Sequence, residues 1–500
     1  MTAPRSQWRR LSSRMLLVHP VHELLRQLPL LIGSVVLGSA TGNRMWSIAA
    51  LAVLVAFGIA RWFTTTYRID GDQIQRREGV LQRTVISLPR NRIRSVSTDA
   101  RLLHRLLGLT VVKVGTGQEL KGDAEFALDA VRSDEVPGLR AILLSDSAAA
   151  GLDEVPRDRV LARWQPSWLR YSPLNFTGLA MIVAAIGLVY QTGAVAALED
   201  SELARQGLDA AERFGVVVTV AAAAVAVLLL SVLLSVGRSL VTFGNLVLSR
   251  RDDGGAGVLH LGHGLLRVRE RTFDMRRLRG GTVREPLLVR MFGGARLDAV
   301  MTGVDGSGEA SLLLPPCPVS TAQGVLTELI GRPEVVSGEL HGHGAVATRR
   351  RWSRALALPV LLGVAMAGAT FVVSVPLLAW PAWSAVTAAA SFLAADRSRA
   401  LGHLVGGGWL VARAGSVERR RDCIAAGGII GWTVRQSWFQ RRSGVATLIA
   451  ATAAGAKGYR VLDVPAERAW LVAATVSPWV VENDWAHSRP GPSCGETVAV

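Results

Sequence analysis

Three similar stretches decide how this chain is organised: residues 103–108 (LHRLLG), 288–293 (LVRMFG) and 439–444 (FQRRSG). Each has an arginine in third place and a glycine three residues after it, and an apolar residue lies 12 positions before the arginine. A run with strand-like composition follows each glycine. Since the arginines are 185 and 151 residues apart, the pattern predicts a domain-sized unit that occurs three times.

Each stretch lies in a long polar segment, at residues 64–150, 237–335 and 397–480. Within these segments, short β-type runs alternate with Gly, Asp and Pro turns, which is typical of a β-sandwich or small barrel. Each segment closes with an apolar run that follows a capping residue or an early carboxylate, which predicts a C-terminal helix.

Three pairs of apolar runs separate the polar segments. A bilayer core of about 30 Å requires about 20 apolar residues in a helix. The runs are 28–41 with 45–63, 174–198 with 214–236, and 355–375 with 377–395. The paired order predicts three transmembrane hairpins, with a re-entrant third pair as the alternative because Pro381 lies in it.

Composition and charge support a membrane location. Hydrophobic residues make up 50% of the 500 residues and charged residues 19%, and the formal net charge is +17. Basic segments precede each apolar pair, whereas the loop at 191–213 is acidic, so both termini and all polar segments are expected on the cytoplasmic side of a bacterial plasma membrane. A GC-rich genome would explain the preference for arginine over lysine, but not where the arginines lie.

Motifs for enzymatic chemistry are missing from the sequence. It has no nucleophile elbow, zinc-protease motif or phosphate-binding loop. The three cysteines are far apart, and the close histidine pairs lack further ligands, so neither a metal nor a cofactor is expected. With no zinc finger and few aromatic residues among the arginines, nucleic acid is not an expected partner.

Arginines crowd the corresponding parts of the three polar segments, and guanidinium groups suit phosphate and carboxylate. The alternatives are a solvated face that only sets topology and, for the three arginines in register, a structural bond to backbone carbonyls. The candidate residues for binding anionic lipid or a partner are Arg90, Arg92, Arg94, Arg101, Arg105, Arg276, Arg277, Arg279, Arg290, Arg435, Arg441 and Arg442.

The first polar segment, with its YRIDGD (67–72), LPRNRI (88–93) and LHRLLG (103–108) stretches and the preceding LVHP (17–20), resembles the YdbS/YdbT-like bacterial pleckstrin-homology (PH) domain family. The resemblance is weaker in the other two segments. It implies a bent antiparallel β-sandwich capped by a C-terminal helix, and membrane proteins that work in sets, so a homologous PH-domain membrane protein is one expected partner.

The expected protein is therefore a non-enzymatic membrane scaffold of mixed α and β structure, in which three transmembrane hairpins alternate with three PH-like domains. A role in envelope stress resistance is one expectation; a transporter or channel component and an enzyme of lipid or envelope metabolism are the alternatives. The expected segments are hairpin 1 with a basic N-terminus (1–63), PH-like domain 1 (64–150), hairpin 2 (157–236), PH-like domain 2 (237–335), hairpin 3 (349–396), PH-like domain 3 (397–480) and a flexible tail (481–500).

Overall fold

The structure is a computed structural model that describes residues 8–10, 64–70, 73–78, 83–89, 93, 95–100, 102–115, 126–136, 138–139, 157–175, 177–191, 206, 209, 212–252, 257–304 and 310–481. The chain forms two compact units. Unit 1 comprises Met1–Gln165 and Gly237–Arg277, and unit 2 comprises Pro166–Val236 and Leu278–Val500. The predicted second polar segment, 237–335, therefore contributes to both units.

Unit 1 is built from antiparallel sheets. Its described strands are β1 Arg9–Arg10, β2 Thr66–Ile69, β3 Gln73–Glu78, β4 Thr84–Pro89, β5 Ser95–Ala100, β6 Leu109–Gly115, β7 Phe126–Arg132, β8 Arg157–Arg163, β9 Val247–Asp252, β10 Val258–His263 and β11 Val268–Asp274. One sheet has the order β1-β2-β3-β4, and the other has the order β7-β6-β5-β11-β10-β9-β8.

The core of unit 1 contains side chains from both of these sheets. Tyr67 and Ile74 of the four-stranded sheet cluster with side chains of β5, β6 and β7. Along β6, Val112 and Val114 are buried while Lys113 between them is not, as expected when successive side chains point to opposite faces of a strand. The alternating pattern of the sequence thus produces a two-layer β core.

Unit 2 has a similar construction. Its described strands are β12 Leu278–Pro286, β13 Gly294–Met301, β14 Leu312–Pro318, β15 Gly402–Gly406, β16 Trp409–Ala414, β17 Glu418–Ala425, β18 Ile429–Arg435, β19 Val445–Thr452 and β20 Gly458–Pro465. They form a sheet of order β14-β13-β12-β17-β16-β15 and a sheet of order β18-β19-β20.

The described helices are α1 Leu102–Leu106, α2 Thr177–Gln191, α3 Val216–Phe243, α4 Leu287–Met291, α5 Val319–Ile330, α6 Pro333–Ser337, α7 Gly344–Ala369, α8 Ala379–Ala400, α9 Trp438–Arg442 and α10 Ala466–Val476. In both α5 and α10, the buried residues follow the spacing i, i+3, i+4, i+7, which places them on one face of the helix. These two helices occupy the positions where the sequence predicts a helix at the end of a polar segment.

Two strands precede the apolar pairs. β1 pairs with β2, and β8 pairs with β9, so the first and second polar segments each gain a strand from the residues before the adjacent apolar pair. The predicted boundaries at 64 and 237 do not include these strands. Local sequence contains no sign of this pairing because the partner strands lie on opposite sides of the apolar pair.

Two of the described helices, α3 and α7, are long and apolar enough to cross a membrane. Only 6% of the apolar window of each is buried within the protein, so most of that surface faces outward. The described part of α2 has 15 residues, and residues 192–198 of the predicted run lie outside the described residues. α8 is rich in alanine. Residues 28–41 and 45–63 of the predicted first hairpin lie outside the described residues, and the three hairpins stay a prediction.

The helices of the later pairs contact each other. The backbone N–H of Gly178 in α2 donates to Ser235 Oγ in α3 at 2.7 Å, and a Cβ at Gly178 would lie 1.8 Å from the carbonyl oxygen of Ser231. In the last pair, Trp383 Nε1 donates to the carbonyl oxygen of Pro359 at 2.8 Å. Close approach through small residues and interhelical hydrogen bonds is typical of helix pairs in membranes.

Candidate functional site

The candidate arginines occupy different environments. Arg90, Arg92, Arg94 and Arg101 lie outside the described residues. The other eight are described, and they differ in their contacts and in their exposure.

The first two arginines in register bond to backbone. Arg105 Nη1 donates to the carbonyl oxygen of Leu265 at 2.9 Å, and Arg290 Nη1 donates to that of Ser416 at 3.4 Å. Arg290 Nη2 also donates to Asp396 Oδ2 at 2.7 Å. The two acceptor residues, Leu265 and Ser416, occupy equivalent positions in their repeats. Each directly follows a glycine of positive φ at the end of a strand.

Those glycines, Gly264 with φ +109° and Gly415 with φ +106°, start the β10–β11 and β16–β17 turns. A Cβ at either one would lie 2.0 Å from the carbonyl oxygen three residues later, so both turns require glycine. Each turn belongs to the repeat that follows the arginine along the chain. Arg105 and Arg290 therefore tie one repeat to the next.

Three other candidate arginines contact residues at or just after the ends of strands β11 and β17. Asp274 is the partner of both Arg276, at 3.5 Å, and Arg277, at 3.6 Å. The side chain of Arg279 lies against Gly428, where an added Cβ would be 3.0 Å from its carbon atoms. These side chains serve the connections after β11 and β17.

The remaining candidates lie on or beside α9 and are exposed. Within the described part of the chain, the side chains of Arg435, Arg441 and Arg442 have no hydrogen-bond or ion-pair partner. Two aromatic side chains of α9 lie beside them: Trp438 is 66% exposed and Phe439 is 65% exposed. We refer to these five residues as the α9 tip.

The aromatic residues of the α9 tip were not part of the sequence prediction. Their rings pack edge to face with centroids 5.0 Å apart. α9 starts with a capping box, in which Ser437 accepts from the Gln440 backbone and the Gln440 side chain accepts from the Ser437 backbone. This cap holds the helix while the two aromatic residues face outward. A WF pair directly before two arginines is a signal that the sequence does contain.

The base of α9 is anchored by buried polar groups. Arg350 Nη1, from α7, donates to the carbonyl oxygen of Phe439 at 2.7 Å. Arg351 Nη1 donates to Asp463 Oδ2 at 2.9 Å, and Gln440 Nε2 donates to Asp463 Oδ1 at 2.8 Å. From the sequence, Arg350 and Arg351 were interpreted only as part of the basic segment before the apolar run. In the structure both are buried.

Asp463 carries the negative charge of this network. Burial by itself would raise the pKa of Asp463, but the hydrogen bond from Gln440 and the charges of Arg351 and Arg350 outweigh it and lower the pKa below its usual value. Asp463 therefore stays ionised near neutral pH and holds α7 and α9 to β20.

A second buried polar cluster contains histidines. The backbones of His341 and His403 exchange two hydrogen bonds, and His343 Nε2 lies 2.8 Å from His403 Nδ1. Burial, followed by the nearby His343 and His341, lowers the pKa of His403 to about 4. No group of three or more His, Cys, Asp or Glu side chains in the described ranges is arranged to hold a metal ion.

Comparison with known families identifies one region of the chain. A family model described as the bacterial PH domain matches residues 24–147. This match supports a bacterial PH domain in the first part of the chain, and the antiparallel sheets with closing helices are consistent with PH-like domains. No curated protein matches the chain. No solved structure matches it either.

Proposed function

We propose that the protein is a non-enzymatic, multispanning membrane scaffold of the YdbS/YdbT-like kind, whose PH-like domains bind anionic phospholipid headgroups at the cytoplasmic face of a bacterial plasma membrane. A contribution to envelope stress resistance belongs to this proposal. The observation that carries it is the α9 tip, where exposed aromatic and cationic side chains lie together.

The composition of the α9 tip suits a membrane surface. Tryptophan and phenylalanine favour the interface between headgroups and acyl chains. Basic residues near an anionic leaflet contribute about 1 kcal/mol each. Arg441 and Arg442 have no partner among the described residues, so binding a phosphate would not require breaking an ion pair.

The attachment of α9 supports the same location. Arg350 lies in α7 a few residues before the apolar run that starts after Arg354. Because Arg350 bonds to the backbone of Phe439 at 2.7 Å, α9 is held beside the polar end of a helix long enough to cross a membrane. A bilayer around α7 would bring its headgroups near the α9 tip.

The experiment uses the full chain in detergent and measures bound lipid by native mass spectrometry. Phosphatidylglycerol and phosphatidylcholine are titrated against the wild type and against a variant with Arg441→Gln and Arg442→Gln. The matched control carries Arg460→Gln and Arg468→Gln, which removes the same charge from two other exposed arginines of the same polar segment.

We expect the wild type to prefer phosphatidylglycerol, and the Arg441/Arg442 variant to lose affinity by on the order of tenfold, since two basic residues contribute about 2 kcal/mol. The control variant should keep the wild-type affinity. Equal binding of the two lipids, or equal loss in both variants, would contradict lipid recognition by the α9 tip.

A further inference from the structure

Two strands lie at sheet edges, although the corresponding strands of the other repeats are paired on both sides. In the described part of the structure, β4 is the last strand of the four-stranded sheet in unit 1, and β18 is the first strand of the three-stranded sheet in unit 2. The corresponding strands of the other repeats, β11 and β5 in unit 1, and β17 and β12 in unit 2, are all paired on both sides.

The two internal junctions have the same register. In unit 1, β5 pairs with β11 so that Ser95 is opposite Phe273. In unit 2, β12 pairs with β17 so that Gly280 is opposite Ile424. The arginines in register, Arg105 and Arg290, are 185 residues apart, and Ser95 and Gly280 are separated by the same interval, so they occupy equivalent positions in the first two repeats. Phe273 and Ile424 are equivalent in the last two repeats, because they are 151 residues apart, as Arg290 and Arg441 are. Each repeat therefore joins the next by the same strand pairing.

Side chains strengthen both junctions at corresponding positions. Arg267 of the β10–β11 turn forms a double hydrogen bond with Asp99 of β5. In the second junction the charges are exchanged, as Arg284 of β12 lies 3.4 Å from Glu418 at the start of β17. The same intervals relate Asp99 to Arg284 and Arg267 to Glu418, so the opposite charges are kept although the sequence is not.

We propose that β4 of a second copy of this chain pairs antiparallel with β18 of the first copy, in the same way that successive repeats pair within one chain. The inference names a partner for the proposed scaffold and so rests on that function. Transferring the shared register places Gly431 opposite Leu88, and Arg435 opposite Thr84, of the second copy. Head-to-tail pairing of unlike edges is heterologous, so it builds a ring where the rotation between copies closes and an open row where it does not.

The low charge and the exposed apolar side chains of β4 and β18 support pairing with a second copy. Exposed strand edges in monomers are often protected by charged residues, by proline or by bulges, and in β4 the proline, Pro89, is only the last residue. β4 (TVISLP) has no charged residue, and β18 (IIGWTVR) has only Arg435 at its end. Val85 of β4 is 50% exposed and Ile430 of β18 is 68% exposed, whereas the hydrophobic residues of β12 are buried or half-buried.

Arg441 gives a further reason to choose a second copy. Arg105 and Arg290 each donate to a backbone carbonyl of the following repeat. Arg441 occupies the same place in the last repeat, is exposed, and has no partner among the described residues. A second copy supplies a following repeat.

The test is disulfide crosslinking between two full-length chains with different tags, co-reconstituted in phosphatidylcholine vesicles. Both carry Cys494→Ser; the native Cys317 and Cys423 are buried. One chain carries Arg435→Cys and the other Thr84→Cys. The off-register control pairs Arg435→Cys with Ser87→Cys, which is also exposed on β4. Directly opposed residues in antiparallel strands have Cα atoms about 4.5–5.5 Å apart, within the range of a disulfide.

We expect crosslinked heterodimer in the matched pair to exceed the off-register pair by on the order of tenfold, because a shift of three residues adds about 10 Å. Arg441→Ala should reduce the crosslink and Arg442→Ala should leave it unchanged. Equal crosslinking in both pairs, none in either, or a stronger Thr84→Cys homodimer would overturn the proposal. Since these vesicles contain no anionic lipid, this result is independent of the phosphatidylglycerol titration.

Discussion

Arg350 of α7 donates a hydrogen bond to the backbone carbonyl of Phe439 in α9 over 2.7 Å, and its side chain is only 8% exposed. One buried cation thus joins a helix able to cross a membrane to an exposed aromatic and cationic surface. The consequences of this bond, and of other buried contacts in each unit, can be measured.

Replacing Arg350 should weaken unit 2. Arg350→Ala removes the bond to the Phe439 carbonyl and the contact of Arg350 Nε with Asp463 Oδ1 at 3.5 Å, so we expect the free energy of unfolding to fall by about 2–4 kcal/mol. Denaturant unfolding of the detergent-solubilised chain measures this change. Arg349→Ala is the control, because Arg349 is exposed one residue earlier. Equal stability of the two variants would show that the bond contributes little.

Gly280 should be indispensable at the β12–β17 junction. Its φ is +145°, and an added Cβ would lie 1.8 Å from the carbonyl oxygen of Cys423 on the neighbouring strand. We expect Gly280→Ala to cost about 3 kcal/mol or more. The matched control is Gly431→Ala at the corresponding position of β18, where the nearest atom is 3.9 Å away. A comparable loss in both variants, measured in dilute detergent, would contradict this explanation.

The ion pair between Asp99 and Arg267 should be energetically coupled. Asp99 is 11% exposed and Arg267 is 38% exposed, so the pair is partly shielded from water. A double-mutant cycle with Asp99→Asn and Arg267→Gln should give a coupling free energy of about 1–2 kcal/mol. A weaker coupling is expected for Arg132 and Asp134, whose side chains are more than half exposed. Coupling no stronger at Asp99–Arg267 would mean that strand pairing alone holds the junction.

Stability of unit 2 should fall in mild acid. The pKa of His403 is lowered to about 4 by burial and by His343 and His341, whereas an unfolded histidine titrates at about 6.5. The unfolded state therefore binds more protons between these values, and stability is lost as the pH falls through that window. From pH 7.5 to 5, His403 should contribute a loss of about 2 kcal/mol.

Unfolding measured at the two pH values, with His403→Gln as the test variant, checks this assignment. The variant should lose less stability on acidification than the wild type. His341→Gln should change the pH dependence less than His403→Gln does, since His341 is exposed and is the smallest of the three causes that lower the pKa of His403. If the pH dependence of His403→Gln equals that of the wild type, another group is responsible.

Much of the local structure could be predicted from the sequence. Turn residues between β-branched runs predict the strands, and the spacing of apolar residues predicts helices such as α5 and α10. The three arginines in register predict the repeat, since corresponding positions keep the same role in successive copies of a fold. These features depend on residues close together in the chain.

The candidate site was only partly predictable. Exposed arginines near α9 were among the predicted residues, but Arg105 and Arg290 proved to bond to backbone of the following repeat. An arginine that binds a lipid phosphate and one that binds a carbonyl look the same in a sequence. The distinction depends on whether a neighbouring turn lies within reach of the guanidinium.

By itself, the sequence predicted the strand-rich polar segments with helices such as α5 and α10 at their ends, the apolar helices α3 and α7, and a unit that occurs three times. Only the tertiary structure decided that repeats join through β5 with β11 and through β12 with β17, and that Asp463 is buried between Arg350 and Arg351. The physical reason is that strand edges pair through backbone N–H and C=O groups, which every residue except proline carries. Which edges meet is therefore set by the packing of distant segments and not by the residues of the strands alone.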